Sequence, residues 1–272
     1  MPAGAAEHAL QRHCRGRFLL TPLRIGSVPY LNARPLVEGL GRDPSVVFQE
    51  KVPSELAKLL QRGELDVALV SSIEAFRVGR HLIVPGHCIA SRGTVMSVRL
   101  VGKRDPRQAG SVALDGASLT AAALTRVAYG SFWNRTDVTF RTAGVAPDPD
   151  RTDCDATLLI GDTALKRPPE QAREIDLGKV WTDETGLPFV WAVWLRRPET
   201  PEKLVRQTLD HARRLGEARL TAYAREAAPR LGISFALAHA YLNEAMRYGL
   251  GPEEEAALDQ FERSTSPLRS LR

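Results

Sequence analysis

The chain has 272 residues, 43% hydrophobic and 25% charged, which is enough apolar material for two small domains or one large one and too much for a disordered or fibrous protein. Its formal charge of +5 does not point to nucleic acid, because Arg12, Arg15 and Arg17 against Glu7, with Arg263, Arg269 and Arg272, account for the whole excess. Residues 18–262 are neutral overall, so no basic stripe is expected.

Cys14, Cys88 and Cys154 form no CxxC spacing and the six histidines form no HxxxH or HExxH pair, so neither a disulfide framework nor a metal centre is expected. No Walker loop or dinucleotide fingerprint is present, and the reading is of a protein without cofactor. The first 22 residues carry charges and histidines where a signal peptide needs a continuous apolar run, and no later run reaches membrane-spanning length. The expectation is a cytoplasmic protein with no membrane or nucleic-acid partner, residues 1–22 forming a disordered extension and the oligomeric state left open.

In chain order, a strand at 24–28 leads through Pro29-Tyr30-Leu31-Asn32 into a helix at about 33–40, with Asn32 as its N-cap and Pro35 in the first turn. A strand at 46–52 precedes a helix from Pro53 to Leu60 whose apolar residues 56, 59 and 60 share a face, closed by Gly63. A strand at 66–70 runs into Ser71-Ser72 and a short helix, followed by an apolar run from His81 to Ser91. Residues 95–102 alternate as a long strand; a second α/β half follows, with a strand at 111–115, an Ala-rich helix at 118–129, a strand at 138–142 and a Pro- and Asp-rich loop at 145–155. The strand 156–160 turns through Gly161-Asp162 into another helix, residues 175–181 carry the chain back, and an apolar strand covers 187–195. From Pro201 to Phe261 the pattern is helical with breaks near 231–232 and 249–252, which fits three helices.

Four strands thus run straight into polar helix starts, and that is where open α/β sheets bind ligands, anions above all. Two α/β halves joined near 92–97 and again near 175–180 describe a two-lobed clamshell with a ligand cleft between lobes. Residues 23–96 with 178–272 form one lobe and 97–177 the other. A single doubly wound sheet is the alternative, and it would have to order about ten strands with long returns.

Arg24-Ile25-Gly26 with Tyr30-Leu31-Asn32-Ala33-Arg34-Pro35-Leu36, Gly63 through Glu74, Cys88-Ile89-Ala90-Ser91-Arg92-Gly93, Leu159-Ile160-Gly161-Asp162 and Thr185-Gly186-Leu187-Pro188-Phe189-Val190 together resemble the MqnA family. The resemblance runs from about residue 24 to 262. It implies a two-lobed α/β clamshell of the periplasmic-binding-protein-like (type II) kind and a chorismate dehydratase, a hydro-lyase of menaquinone biosynthesis by the futalosine route. Ser118-Leu119-Thr120-Ala121 departs from the family, which usually reads Ser-Arg-Thr-Ser there. The substrate implied is a small dicarboxylate, chorismate, and the product 3-[(1-carboxyvinyl)oxy]benzoate. The sibling dihydroxynaphthoate synthase usually opens with Pro-Asn-Asp-Thr and uses a histidine base, whereas this chain has Tyr30-Leu31-Asn32 and no histidine between His87 and His211. A non-catalytic solute-binding protein of the same fold is the other alternative.

Asn32 is the catalytic candidate, and its cap position explains it equally well. Substrate contacts are expected from Tyr30, from Ser71 and Ser72 at a helix start, from Ser91 and Ser97 flanking the first crossing, from Ser118 and Thr120, and from Gly161 and Asp162. Each hydroxyl also has a structural reading as a cap or a backbone partner, and Asp162 has one as a helix cap. Trp181, Trp191 and Trp194 read as core and His81 and His87 as structural. No side chain stands out as a general base, and the substrate's own enolpyruvyl carboxylate is the expected proton acceptor.

Overall fold

Val67–Ser71 is buried at every position, as are Val98–Gly102 and Ala156–Ile160, and a strand can hide both faces only when helices cover the sheet on both sides. The computed structural model, which describes residues 21–170 and 172–269, builds two such sheets. The predicted extension at residues 1–22 lies almost wholly outside the described residues.

The larger sheet has six strands, β1 (Leu23–Ser27), β2 (Val46–Glu50), β3 (Val67–Ser71), β4 (Ile83–Ser91), β10 (Phe189–Arg196) and β11 (Met246–Arg247), in the order β11-β4-β10-β3-β1-β2. β1 lies parallel to β2 and β3, and β10 runs antiparallel between β3 and β4. The smaller sheet has five, β5 (Val98–Gly102), β6 (Ser111–Leu114), β7 (Thr139–Thr142), β8 (Ala156–Ile160) and β9 (Glu174–Asp176), in the order β7-β6-β8-β5-β9. The mixed α/β chain is a two-lobed clamshell, and the borders we propose at 96/97 and 177/178 fall where it passes from one sheet to the other.

Helices α1 (Pro53–Gln61), α2 (Ser72–Val78), α3 (Leu119–Val127) and α4 (Gly161–Lys166) connect the strands, and α5 (Leu177–Thr185) makes the return. The helix predicted at 33–40 is instead a tight 3-10 turn over Leu31–Leu36, with Pro35 inside it. Pro35 cannot donate and Gly39 takes a left-handed φ of 83°, which leaves too few residues between them to nucleate an α-helix.

The C-terminal region holds four α-helices rather than three: α6 (Glu202–Glu217), α7 (Leu220–Leu231), α8 (Phe235–Ala240), extended by a π turn over Tyr241–Ala245, and α9 (Pro252–Arg269). No Pro or Gly marks the break at 218–219. Tertiary contact makes it: Gly216 seats on Pro35, where a Cβ would collide with the carbonyl oxygen, and Arg219 turns to pair with Glu38 at 2.9 Å. Behind the sheet, Phe189 stacks against Trp181, Trp191 and Phe261 with centroids 5.0, 4.4 and 4.8 Å away, which pins α5 and α9 to β10. Such ring pairs are worth roughly 0.5–1.5 kcal/mol each beyond the area they bury.

Candidate active site

A cleft opens between the lobes, enclosing about 540 Å³ of non-atom space that includes open solvent. From the first lobe it takes Tyr30, Asn32 and Ser71, with Trp191 as a wall; from the second it takes Ser97, Ser118 and Gly161, and aliphatic side chains such as Leu69 and Ile160 fill the gaps. Among the described residues the lining contains no Lys, Arg, His, Asp or Glu. Its polar atoms are neutral donors and acceptors.

Asn32 does not cap. It lies inside the 3-10 turn, behind Tyr30 in the cap position, and its amide oxygen is buried without a hydrogen-bond partner among the described residues. Such an orphan costs about 1–3 kcal/mol, so it is the kind of atom a ligand donor can satisfy. Burial pushes the Tyr30 hydroxyl up to about 12, helped by Asp115 and Asp162, so it stays a neutral donor at physiological pH. Tyr30 also covers Gly161, whose φ of 58° turns β8 into α4: a Cβ there would meet the ring at 3.2 Å.

Ser71 holds the N-cap position of α2 without making a side-chain cap bond, which leaves its hydroxyl to the cavity. Ser118 does cap α3, accepting from Ala121 N–H at 3.2 Å, and lines the cavity as well.

Four expected contacts stand outside the lining and bond to protein. Ser72 Oγ donates to Val190 O at 2.8 Å and lies 3.2 Å from Thr120 Oγ1, which also accepts from Ile73 N–H at 3.2 Å. Ser91 Oγ accepts from the Trp191 indole N–H at 3.0 Å and so fixes the cavity wall. Asp162 is not the cap of α4; its Oδ1 accepts from Leu31 N–H at 3.0 Å, across the cleft. Burial, partly offset by that N–H and by Arg230 and Lys166, holds its carboxyl above the ordinary value.

His87 is buried with Asp210 2.9 Å away and lies outside the lining; burial pushes its pKa down. Trp181 and Trp194 are core, as expected, while Trp191 is core and cavity wall at once. Among the described residues no group of three or more His, Cys, Asp or Glu is placed to hold a metal ion.

Tyr241 is the site residue that sequence reasoning passed over. Its hydroxyl donates to Ser97 Oγ at 2.9 Å from 144 residues away. Nothing in the local pattern of α8 distinguishes it from a core tyrosine.

The model of a family described by menaquinone biosynthesis matches residues 23–266. The chain belongs to that family. A chorismate dehydratase of Thermus thermophilus is 32% identical over 269 residues, covering 89% of this chain and 94% of its own length. Among solved structures, an Archaeoglobus fulgidus protein superposes with a TM-score of 0.67 at 16% identity, over 93% of this chain and 99% of its own. The alkanesulfonate-binding protein SsuA of Xanthomonas axonopodis pv. citri, bound to MOPS, does so with a TM-score of 0.64 at 18% identity, over 92% and 93%. At such identities the structures establish the periplasmic-binding-protein-like fold of this menaquinone-biosynthesis family member and nothing finer.

Proposed function

We propose that the chain is a chorismate dehydratase, a hydro-lyase that removes water from chorismate to give 3-[(1-carboxyvinyl)oxy]benzoate in menaquinone biosynthesis. The observation that carries the reading is the 32% identity to a chorismate dehydratase across almost the whole of both chains. The cavity supports it independently of that name. An ionised side chain of negative sign would repel a dicarboxylate, and the lining has none. Asn32, Tyr30, Ser71, Ser97 and Ser118 supply neutral donors at its rim, with Gly161 leaving room beside Tyr30.

The chemistry asks for little more. The ring hydrogen that is lost sits on a carbon conjugated to the ring carboxylate, so charge develops on that carboxylate as the proton leaves. Fixed hydroxyl and amide donors in a water-poor cleft stabilise such charge, at a worth of about 2.7–4 kcal/mol for one well-placed donor. The proton passes to the substrate's enolpyruvyl carboxylate, the ring hydroxyl departs and takes up that same proton from the carboxylate to become water, and the ring becomes aromatic. Asn32 is the residue we place closest to the reacting carbon; Tyr30, Ser71, Ser97 and Ser118 bind and orient. Ser72, Ser91, Thr120 and Asp162 act by holding the two sides of the cleft in place. The setting we propose is the cytoplasm, and among the described residues no helix is long and apolar enough to cross a membrane.

Ultraviolet absorbance tests the reading. The purified chain should consume the diene chromophore of a large molar excess of chorismate, whereas a binding protein would perturb at most one equivalent.

A further inference from the structure

Ser97 is gripped by its backbone on both sides, its N–H donating to Val95 O at 2.8 Å and its carbonyl accepting from Gly161 N–H at 2.7 Å. Only the hydroxyl is left for the cavity, which it lines. That hydroxyl accepts from Tyr241 at 2.9 Å. Tyr241 is fully buried and opens the π turn at the end of α8, a local widening of the helix of the sort that often serves function. The Asn32 side chain approaches the same tyrosine hydroxyl, while the Asn32 amide oxygen stays unbonded. Three groups from distant parts of the chain therefore meet at one end of the cavity.

A serine hydroxyl has one proton and two lone pairs. With one lone pair taken by Tyr241, and with Asn32 Oδ1 receiving nothing, no bond from the Ser97 hydroxyl to an acceptor is seen among the described residues, which leaves its proton to the cavity that Ser97 lines. A hydroxyl that accepts from a buried donor also becomes a better donor itself. Burial raises the Tyr241 pKa, which keeps its proton in place at neutral pH.

We propose that Tyr241 is a positioning residue for the dehydration, one that turns the Ser97 proton into the cavity towards the substrate oxygen on which negative charge develops. This rests on the dehydratase reading. Tyr241 itself touches no substrate. A purely structural tyrosine would be content with any carbonyl, as Tyr248 is with Leu242 O at 3.4 Å.

Steady-state kinetics on the full-length chain tests this with Tyr241→Phe, Ser97→Ala, the double variant, and Tyr248→Phe as the control deletion of a buried hydroxyl. For Tyr241→Phe we expect kcat to fall about 10- to 100-fold with KM within about twofold, the signature of an interaction felt in the transition state. In the Ser97→Ala background the same change should cost nothing further, because the hydroxyl it orients is gone. Tyr248→Phe should lower the unfolding midpoint while kcat stays at the parental value. A Tyr241→Phe enzyme with kcat within twofold of the parent, losses that multiply in the double variant, or a Tyr241→Phe chain that does not fold would each overturn the assignment. A parent that leaves the chorismate absorbance unchanged would instead sink the dehydratase reading, and the role of Tyr241 in dehydration with it.

Discussion

At the corner after β3, Ser71 lines the cavity and Ser72 turns away to bond Val190 O and meet Thr120 from the other lobe. At the corner after β8, Gly161 lines the cavity and Asp162 turns away to accept Leu31 N–H from the other lobe. Both corners spend the residue next to the lining on fastening the cleft. The first does so with hydroxyls alone, which are indifferent to pH. The second uses a carboxylate, and the raised pKa of Asp162 records what its burial costs. On the dehydratase reading, which seats a dianion in the cavity, a charge tolerated one residue behind the lining would be harmful in it.

The largest effect should come from moving a charge across that boundary. Asn32→Asp would place a carboxylate in the lining, close to the Tyr241 hydroxyl that already feels Asp162. Chorismate turnover should fall by about 10²-fold or more, on the scale of a lost oxyanion donor. Because Asn32 makes no cap bond, the variant gains nothing in the helix, and its unfolding midpoint should drop too. Near-parental turnover would return Asn32 to a purely structural role.

Thr120→Val probes the neutral corner. It keeps the shape but removes the acceptor of Ile73 N–H and the partner of Ser72, leaving a buried donor unsatisfied at about 1–3 kcal/mol. If that bond holds the lobes together, KM should rise by up to about tenfold alongside a lower midpoint. An unchanged KM would make Thr120 a local packing residue.

Asp162→Asn probes the charged corner, with a smaller effect of opposite sign. Asparagine keeps an oxygen for Leu31 N–H and removes the ionisation. Since burial raises the Asp162 pKa, the ionised form is the disfavoured one in the fold, and the stability lost to it accumulates as pH rises from the ordinary value of 3.8 through the raised one. The variant should therefore melt above the parent at neutral pH, and the gap should close as pH falls back through that window. Asp115 and Asp176, also raised by burial, cancel from the difference because both proteins carry them. A variant that melts below the parent at neutral pH would mean that the Leu31 bond needs the full charge.

The smallest expected effect is none. Turnover should survive exhaustive dialysis against a chelator, as neither corner offers a cluster of metal-ligating side chains. Activity restored only by a divalent ion would contradict this.

The strand-to-helix corners were legible because their signals are local: a buried aliphatic run ending in Ser71, Ser118 or Gly161 needs only neighbours in sequence to be read. What each second residue does was not. Ser72 meets Thr120 across 48 residues, Ser91 holds Trp191 across 100, and Asp162 reaches Leu31 across 131. A hydroxyl gives the same local pattern whether it faces a ligand or a distant backbone atom. The missed break between α6 and α7 has the same origin, since the seating of Gly216 on Pro35 decides it and no Pro or Gly stands at 218–219. Tyr241 was hidden twice over, by distance and by a π turn that no periodicity announces.

Asp176 sits between the two crossings of the chain. Its carboxylate accepts from Val95 and Met96 N–H on the outward connector and from Lys179 N–H at the start of α5 on the return. Met96 takes a left-handed φ of 65°, and Gly178 lies against Gly93, where a Cβ would come within 2.7 Å of the carbonyl oxygen. One carboxylate and one close glycine approach thus tie the two connectors to each other like rivets through an axle. Ser97 is the first residue beyond the axle. On the lobe borders we propose, Tyr241 belongs with the C-terminal helices on the other side of the cleft, so a swing that parted the lobes would break its bond to Ser97, and closure would restore the orientation we propose.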